Sequence, residues 1–344
     1  MNISILEIVM AHFHYWINFL KMLITLNKTF ENFFKLILKI LKNEFPIDSV
    51  LKNKTRLLLE SFNAVFLVAY SQKIPSIKYD IEKDVVIISS SELLDKEIKF
   101  HGGVNNGDII YGFVGNDYGK LPVHGKTIID IGANIGDTPI YFASHGANMV
   151  IGLEPFPKNY ELAVENILSN GFSDKIKMVL AGCSSKVGEI IIDTDYESNI
   201  ESQLRGSAKG TIIPLLTIEE IVKRYDVPDE SILKMDCEGC EYDSILHTPD
   251  KVLQRFSHIQ IEYHLGYRNL KEKLERCGFK ITISVPIATD VINTIFQFFQ
   301  RKNHSNAIKE NRDKNMSESI SKKRHKIRYC GFIYGVRQDG VNDQ

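Results

Sequence analysis

The sequence predicts an α/β fold of Rossmann-like type, in which helices cover both faces of a mainly parallel sheet. Two observations support this prediction. After residue 125, short apolar runs alternate with stretches of helical periodicity, a pattern typical of parallel strands joined by crossover helices. Residues 127–157 contain one complete strand–turn–helix–strand unit with a glycine-rich turn, and glycines in such a turn let the backbone approach a ligand closely.

Length and composition narrow the class of protein. The 344 residues are enough for one large domain with additional segments. A net charge of −1 gives no general indication of nucleic-acid binding. Five cysteines are few and odd in number, so we expect an intracellular chain without a disulfide framework. The N-terminus lacks a basic start and a small-residue cleavage site, so we predict no signal peptide and a cytoplasmic location.

The first segment, residues 1–75, is predicted to be helical and amphipathic. Between residues 3 and 43, polar residues recur at intervals of three and four, as on one face of a helix. Three interpretations remain open: the apolar face packs on this chain or on a second copy, it lies in the plane of a membrane surface as a peripheral anchor, or it spans a membrane. Charged and histidine residues make spanning the weakest alternative. The polar residues are Glu7, His14, Asn18, Lys21, Thr25, Lys28, Asn32, Lys35, Lys39 and Lys42.

Two further segments complete the domain organisation. A helix is predicted at 49–70, ending before Pro75. Residues 76–126 are expected to form a β-rich lead-in, with strand-like runs at 84–89 and 109–114. The α/β domain then covers 127–344, with a hairpin insertion at about 187–214 and a second insertion at about 286–327. The second insertion contains an apolar helix at 291–299 and a basic tract.

Capping signals in the sequence mark where several helices of the α/β domain begin and end. Capping residues such as Thr217 and glycines such as Gly146 stand where helices begin and end. Strands are predicted at 127–131, 149–153, 176–181, 231–236, 258–263, 279–285 and 329–337, and helices at 138–144, 157–169, 217–225, 240–247 and 269–277.

The glycine turn indicates which cofactor this fold binds. The run GANIG places Gly132, Asn134 and Gly136 in the turn but lacks the middle glycine that a dinucleotide pyrophosphate needs. Asp130, just before the turn, suits a cationic ligand group. S-adenosylmethionine has an ammonium, a carboxylate and a sulfonium but no phosphate, so it fits this turn better than a dinucleotide does.

Other residues of the same unit extend this prediction. Asp137 begins the helix after the turn, whose N-terminus favours a carboxylate. Glu154 ends the second strand, where an acidic residue accepts hydrogen bonds from a ribose diol. Phe156 is then a candidate neighbour of the adenine ring. We therefore expect all seven residues, from Asp130 to Phe156, to contact the cofactor.

Four motifs in this order resemble the FkbM-type methyltransferase family: DIGANIGDTPIYFA, GLEPFPKNYELAVENI, IPLLTIEEI and LKMDCEGCEYDSILHT. The resemblance runs from about residue 128 to residue 261, and GFIYGVRQ is similar to the family's final strand. It implies a class I fold dependent on S-adenosylmethionine, with a seven-stranded sheet whose last strand is antiparallel. It also implies O-methylation, an activity frequent in this family, of a hydroxyl on a sugar or another natural-product acceptor.

The family's acid–x–Glu–Gly motif supplies the catalytic candidates. Here it is Asp236 to Gly239, at the end of the fourth strand, while Glu262 and His264 end the fifth. Transfer to a hydroxyl requires a nearby group that takes its proton, so Asp236, Glu238 and His264 are the predicted catalytic residues. The same three residues are an alternative site for a divalent metal, which the sequence does not establish.

The pair Cys237 and Cys240 lacks the further ligands of a zinc site, and we expect both to be packing residues.

The sequence thus predicts an S-adenosylmethionine-dependent methyltransferase, with a small molecule or glycan as acceptor. The alternative function is a binding module on a methyltransferase fold, acting at a membrane or on a partner through residues 3–43. Nucleic acid is not expected as the substrate, because the motif after the fourth strand is not Asn-Pro-Pro-aromatic. Self-association into a homo-oligomer stays open.

Overall fold

The computed structural model describes residues 3–89, 97–102, 108–192, 209–289, 291 and 328–338. Ten helices lie within these ranges: α1 (Ile5–Thr29), α2 (Phe33–Lys42), α3 (Phe62–Lys73), α4 (Asp108–Phe113), α5 (Asp137–Ser144), α6 (Pro157–Ser169), α7 (Ile218–Arg224), α8 (Cys240–His247), α9 (Asp250–Leu253) and α10 (Arg268–Arg276). The strands are β1 (Ile47–Val50), β2 (Arg56–Leu59), β3 (Ile77–Asp80), β4 (Val85–Ser89), β5 (Glu97–His101), β6 (Thr127–Ile131), β7 (Met149–Glu154), β8 (Ile176–Leu180), β9 (Gly182–Cys183), β10 (Gly188–Ile192), β11 (Thr211–Leu216), β12 (Ser231–Met235), β13 (Phe256–Tyr263), β14 (Phe279–Ile283), β15 (Ile287–Thr289) and β16 (Arg328–Arg337).

The centre of the molecule is an eight-stranded sheet, in which seven strands lie in the order β14–β16–β13–β12–β6–β7–β8 and the short β15 pairs with β16 beside them. The sheet therefore has one strand more than the seven that the family resemblance implies. The pairs from β13 to β8 are parallel, whereas β16 runs antiparallel to both β13 and β14. The chain reverses its direction of travel across the sheet at β6, so the carboxyl ends of β6, β7 and β12 meet where a ligand binds in such folds. This topology confirms the predicted fold class.

Two apolar layers cover the two faces of this sheet. Neighbouring residues of β6 belong to different layers because side chains alternate along a strand. Ile129 faces the cluster containing Leu233 and Phe256, while Ile128 faces the cluster containing Phe142 and Val150. Burial on both faces explains why the parallel strands appear in the sequence as continuous apolar runs rather than alternating ones.

The N-terminal segment forms its own small core. Its centre includes Leu26 of α1, Leu36 of α2, Ile47 and Leu59 of the hairpin, and Val65 of α3. The predicted helix at 49–70 is wrong over its first half, because residues 47–59 form the antiparallel hairpin β1–β2. A turn residue with φ of +72° at Lys54 separates the two strands. The leucine run therefore lies on a strand, and the helix begins only after the Ser61 N-cap.

The lead-in contains the antiparallel sheet β3–β4–β5, but the strand expected at 109–114 is a helix, α4. Ile109, Ile110 and Phe113 are spaced for one helix face, and Phe113 packs on Tyr141 of α5 with ring centroids 5.3 Å apart. Packing on α5 therefore decides the conformation of a short apolar run that sequence alone leaves ambiguous.

Asn166, fully buried on α6, joins the lead-in to the α/β domain. Its carboxamide oxygen accepts the His101 amide proton at 2.7 Å, and its nitrogen donates to the carbonyls of His101 and Ile135 at 3.2 and 2.9 Å. The lead-in is thereby fixed to the segment that carries the glycine turn.

The first predicted insertion forms the expected hairpin, in which β10 and β11 pair antiparallel. The apolar helix at 291–299, apart from Val291, and the basic tract lie outside the described residues. Among the described helices, none combines the length and the apolar character needed to cross a bilayer.

Candidate functional site

The glycine turn between β6 and α5 needs glycine at its first position. Gly132 has φ of +85°, and a Cβ there would lie 2.7 Å from the Asp236 carbonyl carbon and closer still to its oxygen. The amides of Gly132 and Ala133 both donate to the carbonyl of Leu153, at 3.0 and 2.9 Å. The turn is therefore held between the ends of β7 and β12, where side chains on Gly132 are sterically excluded.

Glu154 is nearly completely buried beside this turn. Its two carboxylate oxygens accept the amide protons of Asn134 and Phe156, at 2.9 and 3.0 Å. Burial raises the pKa of Glu154 to about 7, while the two amide hydrogen bonds act in the opposite direction. Each oxygen has a second acceptor position, so the pair can receive two hydroxyl protons from a vicinal diol.

The remaining predicted cofactor residues surround Glu154 and the turn. Asn134 adopts φ of +46°, and its side chain accepts a hydrogen bond from Asn159 at 2.8 Å. Gly136 is the N-cap of α5 with φ of +84°, and Asp137 is the buried first residue of that helix. Phe156 is buried against Ile192 and Ile213 of the hairpin insertion. The structure brings these residues together, and their contacts with a cofactor stay predictions.

Asp130 lies in a buried ion pair. Its carboxylate is fully buried and lies 2.9 Å from Nζ of Lys234, which also donates to the carbonyl of Gly132 at 3.0 Å. Burial alone would lower the pKa of Lys234, but the carboxylates of Asp130 and Asp236 raise it, so the lysine stays charged. Lys234 thus neutralises Asp130 and braces the glycine turn from β12.

The second half of the site is a tight turn between β12 and α8. Glu238 and Gly239 both have positive φ, +56° and +124°, which turns the chain sharply after Asp236. The amide of Gly239 donates to Oε2 of Glu241 at 2.8 Å. This conformation directs the side chains of Asp236 and Glu238 toward the end of β13, where His264 stands.

His264 is buried and surrounded by carboxylates. Its Nε2 lies 3.4 Å from Glu238 and 3.8 Å from both Asp236 and Glu262, while Nδ1 donates to the fully buried Glu241 at 2.6 Å. Burial would lower the pKa of His264, but the hydrogen bonds with Glu238 and Glu241 and the charge of Asp236 raise it well above the usual histidine value. The histidine is therefore an imidazolium that holds the acids together.

Two other side chains complete this cluster. Arg328 of β16 approaches Glu238 at 3.3 Å. The Tyr242 hydroxyl accepts the amide protons of His264 and Leu265, at 3.1 and 2.6 Å, and donates to the carbonyl of Gly266 at 2.8 Å. Glu238 thus lies between two cations, His264 and Arg328, whereas Asp236 faces His264 only at 3.8 Å and keeps about a quarter of its side chain exposed.

Cys237 and Cys240 form a disulfide, which corrects the expectation that both are packing residues. The tight turn brings Cys237, in the turn before α8, close to Cys240, the first residue of α8; their Cα atoms are 5.5 Å apart, inside the range that a disulfide bridges. The other three cysteines are buried and free.

Asp236, Glu238 and His264 are also a group that could hold a metal ion, since one donor atom from each lies within 4.8 Å of the others. Carboxylate and imidazole donors suit a divalent cation. Arg328 and the Glu241-bound imidazolium already supply positive charge to this cluster, which opposes cation binding.

Sequence reasoning identified Asp236, Glu238 and His264, which the structure brings together, but it missed their supporting residues. Lys234 was visible as a lone charge inside an apolar strand, a signal of a buried pair. Glu241 stands three residues after Glu238, but only the fold shows that it binds His264. Arg328 had no signal, because it lies 90 residues from Glu238 in the chain.

The sheet order, with its antiparallel β16 and a cofactor turn after β6, defines the class I fold of S-adenosylmethionine-dependent methyltransferases. Residues 130–281 match the family model described as the methyltransferase FkbM domain. This region is therefore an FkbM methyltransferase domain, as the four motifs predict.

Solved structures with similarity to the chain include methyltransferase FkbM from Methylobacillus flagellatus KT, with 18% identity over 48% of this chain and 41% of that one and a TM-score of 0.34. The chain thus spans about two fifths of that protein's length. A precorrin-6y C5,15-methyltransferase from Geobacter metallireducens GS-15 has 15% identity over 73% of this chain and 94% of that one, with a TM-score of 0.34.

TrmK from M. capricolum, in complex with S-adenosyl-homocysteine, has 13% identity over 67% of this chain and 70% of that one, with a TM-score of 0.35. No curated protein matches the sequence.

Proposed function

We propose that this protein methylates a hydroxyl group of a sugar, a glycan or a related small acceptor, with Asp236 as the group that takes the hydroxyl proton. The observation that carries the proposal is the position of Asp236. Its carbonyl contacts the turn at Gly132, and its side chain extends from the end of β12 into the cluster around His264. One residue therefore links the cofactor turn to the acidic cluster.

The residues of the turn fit S-adenosylmethionine. Glu154 has acceptor positions for the two ribose hydroxyls. The N-terminus of α5 offers a positive end to the carboxylate of the methionine part. When bound, S-adenosylmethionine supplies an electrophilic methyl group.

Asp236 is better placed than His264 and Glu238 to accept the proton. His264 is already protonated and donates from Nδ1 to Glu241, so it has no free lone pair for the task. Glu238 is paired with both His264 and Arg328, so its carboxylate oxygens are already engaged. Asp236 lies farther from these cations and is partly exposed, so it can reach a hydroxyl of the acceptor.

The carbohydrate class rests on the chemistry of the cluster together with the FkbM resemblance. Carboxylates and a guanidinium are the side chains that bind vicinal hydroxyls in hydrogen-bonded pairs. Glu238, Glu262 and Arg328 lie partly exposed around Asp236 and supply this chemistry. Aromatic nucleobases would need stacking rings instead, and the charge of the chain does not favour nucleic acid.

The experiment combines labelled S-adenosylmethionine with a panel of sugars and glycans and follows transfer of the methyl label. Asp236→Asn is expected to lower kcat about 100-fold, in the range of a lost general base, while S-adenosylmethionine binds with unchanged affinity. Asp226→Asn, at an exposed turn position with φ of +47°, is the matched control. Equal turnover by the two variants would remove Asp236 from this role.

Dialysis against EDTA separates this mechanism from the metal alternative. Because Nδ1 of His264 is bound to Glu241 and Glu238 is paired with His264 and Arg328, these donors are already engaged, and we expect full turnover after dialysis. A loss that added magnesium restores would assign Asp236, Glu238 and His264 to a metal site instead. If S-adenosylmethionine binds but no acceptor in the panel is labelled, the proposed class of acceptor is wrong, whereas the proposed cofactor site is still supported.

A further inference from the structure

Helix α1 presents a continuous apolar stripe to solvent. Its members recur every three or four residues, so they lie along one side of the helix. Phe13 is 64% exposed and Trp16 41% exposed, which is unusual for side chains that bury readily in a core. The apolar stripe consists of Ile5, Leu6, Val9, Met10, Phe13, Trp16, Leu20 and Ile24.

A different face of α1 already packs on the chain. Ala11 is fully buried against Ala288 and Val291, and Leu26 is buried in the N-terminal core. Glu7 accepts a hydrogen bond from Tyr267 at 2.6 Å, and His12 bonds Tyr329 at 3.0 Å. The helix is therefore anchored to the fold through this face, and the apolar stripe is not needed for its docking.

A basic groove adjoins the C-terminal end of the apolar stripe. The groove has a volume of about 490 Å³ and is lined by Lys21, Lys28, Lys52 and Lys73, with Ile24 and Gln72 among its other residues. Lys21, Ile24 and Lys28 neighbour one another on the surface of α1 because they are three and four residues apart. The groove and the apolar stripe therefore form one continuous surface.

The charged side chains around this surface are predominantly basic. All four groove lysines are exposed, and none forms an ion pair within the described part of the chain. The two acids of residues 3–43 are engaged elsewhere, since Glu7 bonds Ser4 and Tyr267 and Glu31 pairs with Lys54. Lys52 acts on Glu31 through its charge and Lys73 lies 5.9 Å from the centre of the Tyr70 ring, but no described carboxylate is within ion-pair distance of the four groove lysines. The groove is therefore predominantly positive.

We propose that this surface binds a membrane containing anionic phospholipids. The apolar stripe lies at the boundary of the acyl chains, and the four lysines bind the phosphate groups of the lipids. Apolar contact and a basic cluster are the two signals that stable peripheral binding requires. A second copy of the chain would carry the same positive groove, so charge disfavours self-association through this surface.

Co-sedimentation of the full chain with vesicles tests the proposal. We expect binding to vesicles of phosphatidylcholine with one quarter phosphatidylglycerol, and at least ten-fold weaker binding to phosphatidylcholine alone. Each lysine near an anionic surface contributes about five-fold to partitioning. Changing Lys21, Lys28, Lys52 and Lys73 to Gln together should therefore lower binding more than 100-fold.

Two other variants complete the design. Changing Lys158, Lys175, Lys223 and Lys251 to Gln removes the same charge from exposed positions of the α/β domain and should leave binding unchanged. The pair Phe13→Gln and Trp16→Gln should lower binding at least ten-fold without changing thermal stability, because both side chains are exposed.

Three outcomes would overturn the proposal: equal binding to neutral vesicles, equal loss in the two lysine variants, or a dimer in solution that the Phe13 and Trp16 changes convert to a monomer. Competition of vesicle binding by millimolar inorganic phosphate at constant ionic strength would also overturn it, since it would assign the groove to a free anion.

Discussion

Substitution of Gly132 by alanine tests the idea that the cofactor turn and the acidic motif share one tightly packed junction. Gly132 has φ of +85°, and an added Cβ would overlap the Asp236 carbonyl group, with 2.7 Å to its carbon. Side-chain atoms need about 3.0 Å or more, so β6 and β12 must separate. That separation strains the hydrogen bond from the Asp236 amide to Ile131, now 2.9 Å, and the contact of Lys234 with the Gly132 carbonyl.

The cost has three parts. An alanine with left-handed φ costs about 1–2 kcal/mol, overpacking about 1–3 kcal/mol, and a weakened buried hydrogen bond about 1 kcal/mol. For a chain of 344 residues, the sum of about 3–6 kcal/mol corresponds to a fall in Tm of about 4–8 °C. Differential scanning calorimetry measures this fall, and isothermal titration with S-adenosylmethionine should show lost binding.

Gly278→Ala is the matched control. Gly278 has nearly the same φ, +87°, but a Cβ there meets nothing within 4 Å. The free energy of unfolding of this variant should fall only by the backbone strain of about 1–2 kcal/mol, and its affinity for S-adenosylmethionine should not change. Equal Tm values for the two variants would refute the packed junction, because strain alone would then explain both.

Three other predictions concern buried polar residues. Burial raises the pKa of Glu154 to about 7. The folded chain therefore keeps a proton that the unfolded chain releases near pH 4.3. As a result, the free energy of unfolding should fall by about 3 kcal/mol as pH rises from 4 to 8. Urea titrations across this range should show the fall, Glu154→Gln should abolish it, and S-adenosylmethionine should bind the wild-type chain more tightly above pH 7, where the carboxylate is charged. Lys234→Met leaves the Asp130 charge buried without its partner and should lower the free energy of unfolding by about 3–5 kcal/mol, measured by urea denaturation. The double variant with Asp130→Asn should recover part of this loss. No recovery would contradict the ion pair. Asn166→Ala leaves polar groups of His101 and Ile135 without their partner and should lower stability by about 2–3 kcal/mol, whereas Asn27→Ala, at an exposed position of α1, should change it by less than about 0.5 kcal/mol.

Some residues of the site could be predicted from the sequence, and others could not. Gly132 and Glu154 were identified because their roles depend on position within one strand–turn–helix–strand unit, which is local in the chain. The imidazolium state of His264 was not predicted, because it depends on Glu238 and Glu241 from another element. The ion pair of Asp130 with Lys234 joins two strands 104 positions apart, and only their parallel pairing brings the charges together.

The same distinction applies to the fold. The parallel sheet and its helices follow from periodicity and capping, which are properties of short segments. The hairpin at 47–59 and helix α4 were predicted wrongly because an apolar run of four to six residues suits either structure, and packing on neighbouring elements decides between them.

The sequence by itself determined the α/β architecture, the cofactor turn and the acidic motif, because each is written in contiguous residues. Only the tertiary structure decided which acids are paired, which face of α1 stays exposed and where lysines from α1, β1–β2 and α3 form one groove. Those properties depend on distances between segments far apart in the chain, and no local pattern contains them.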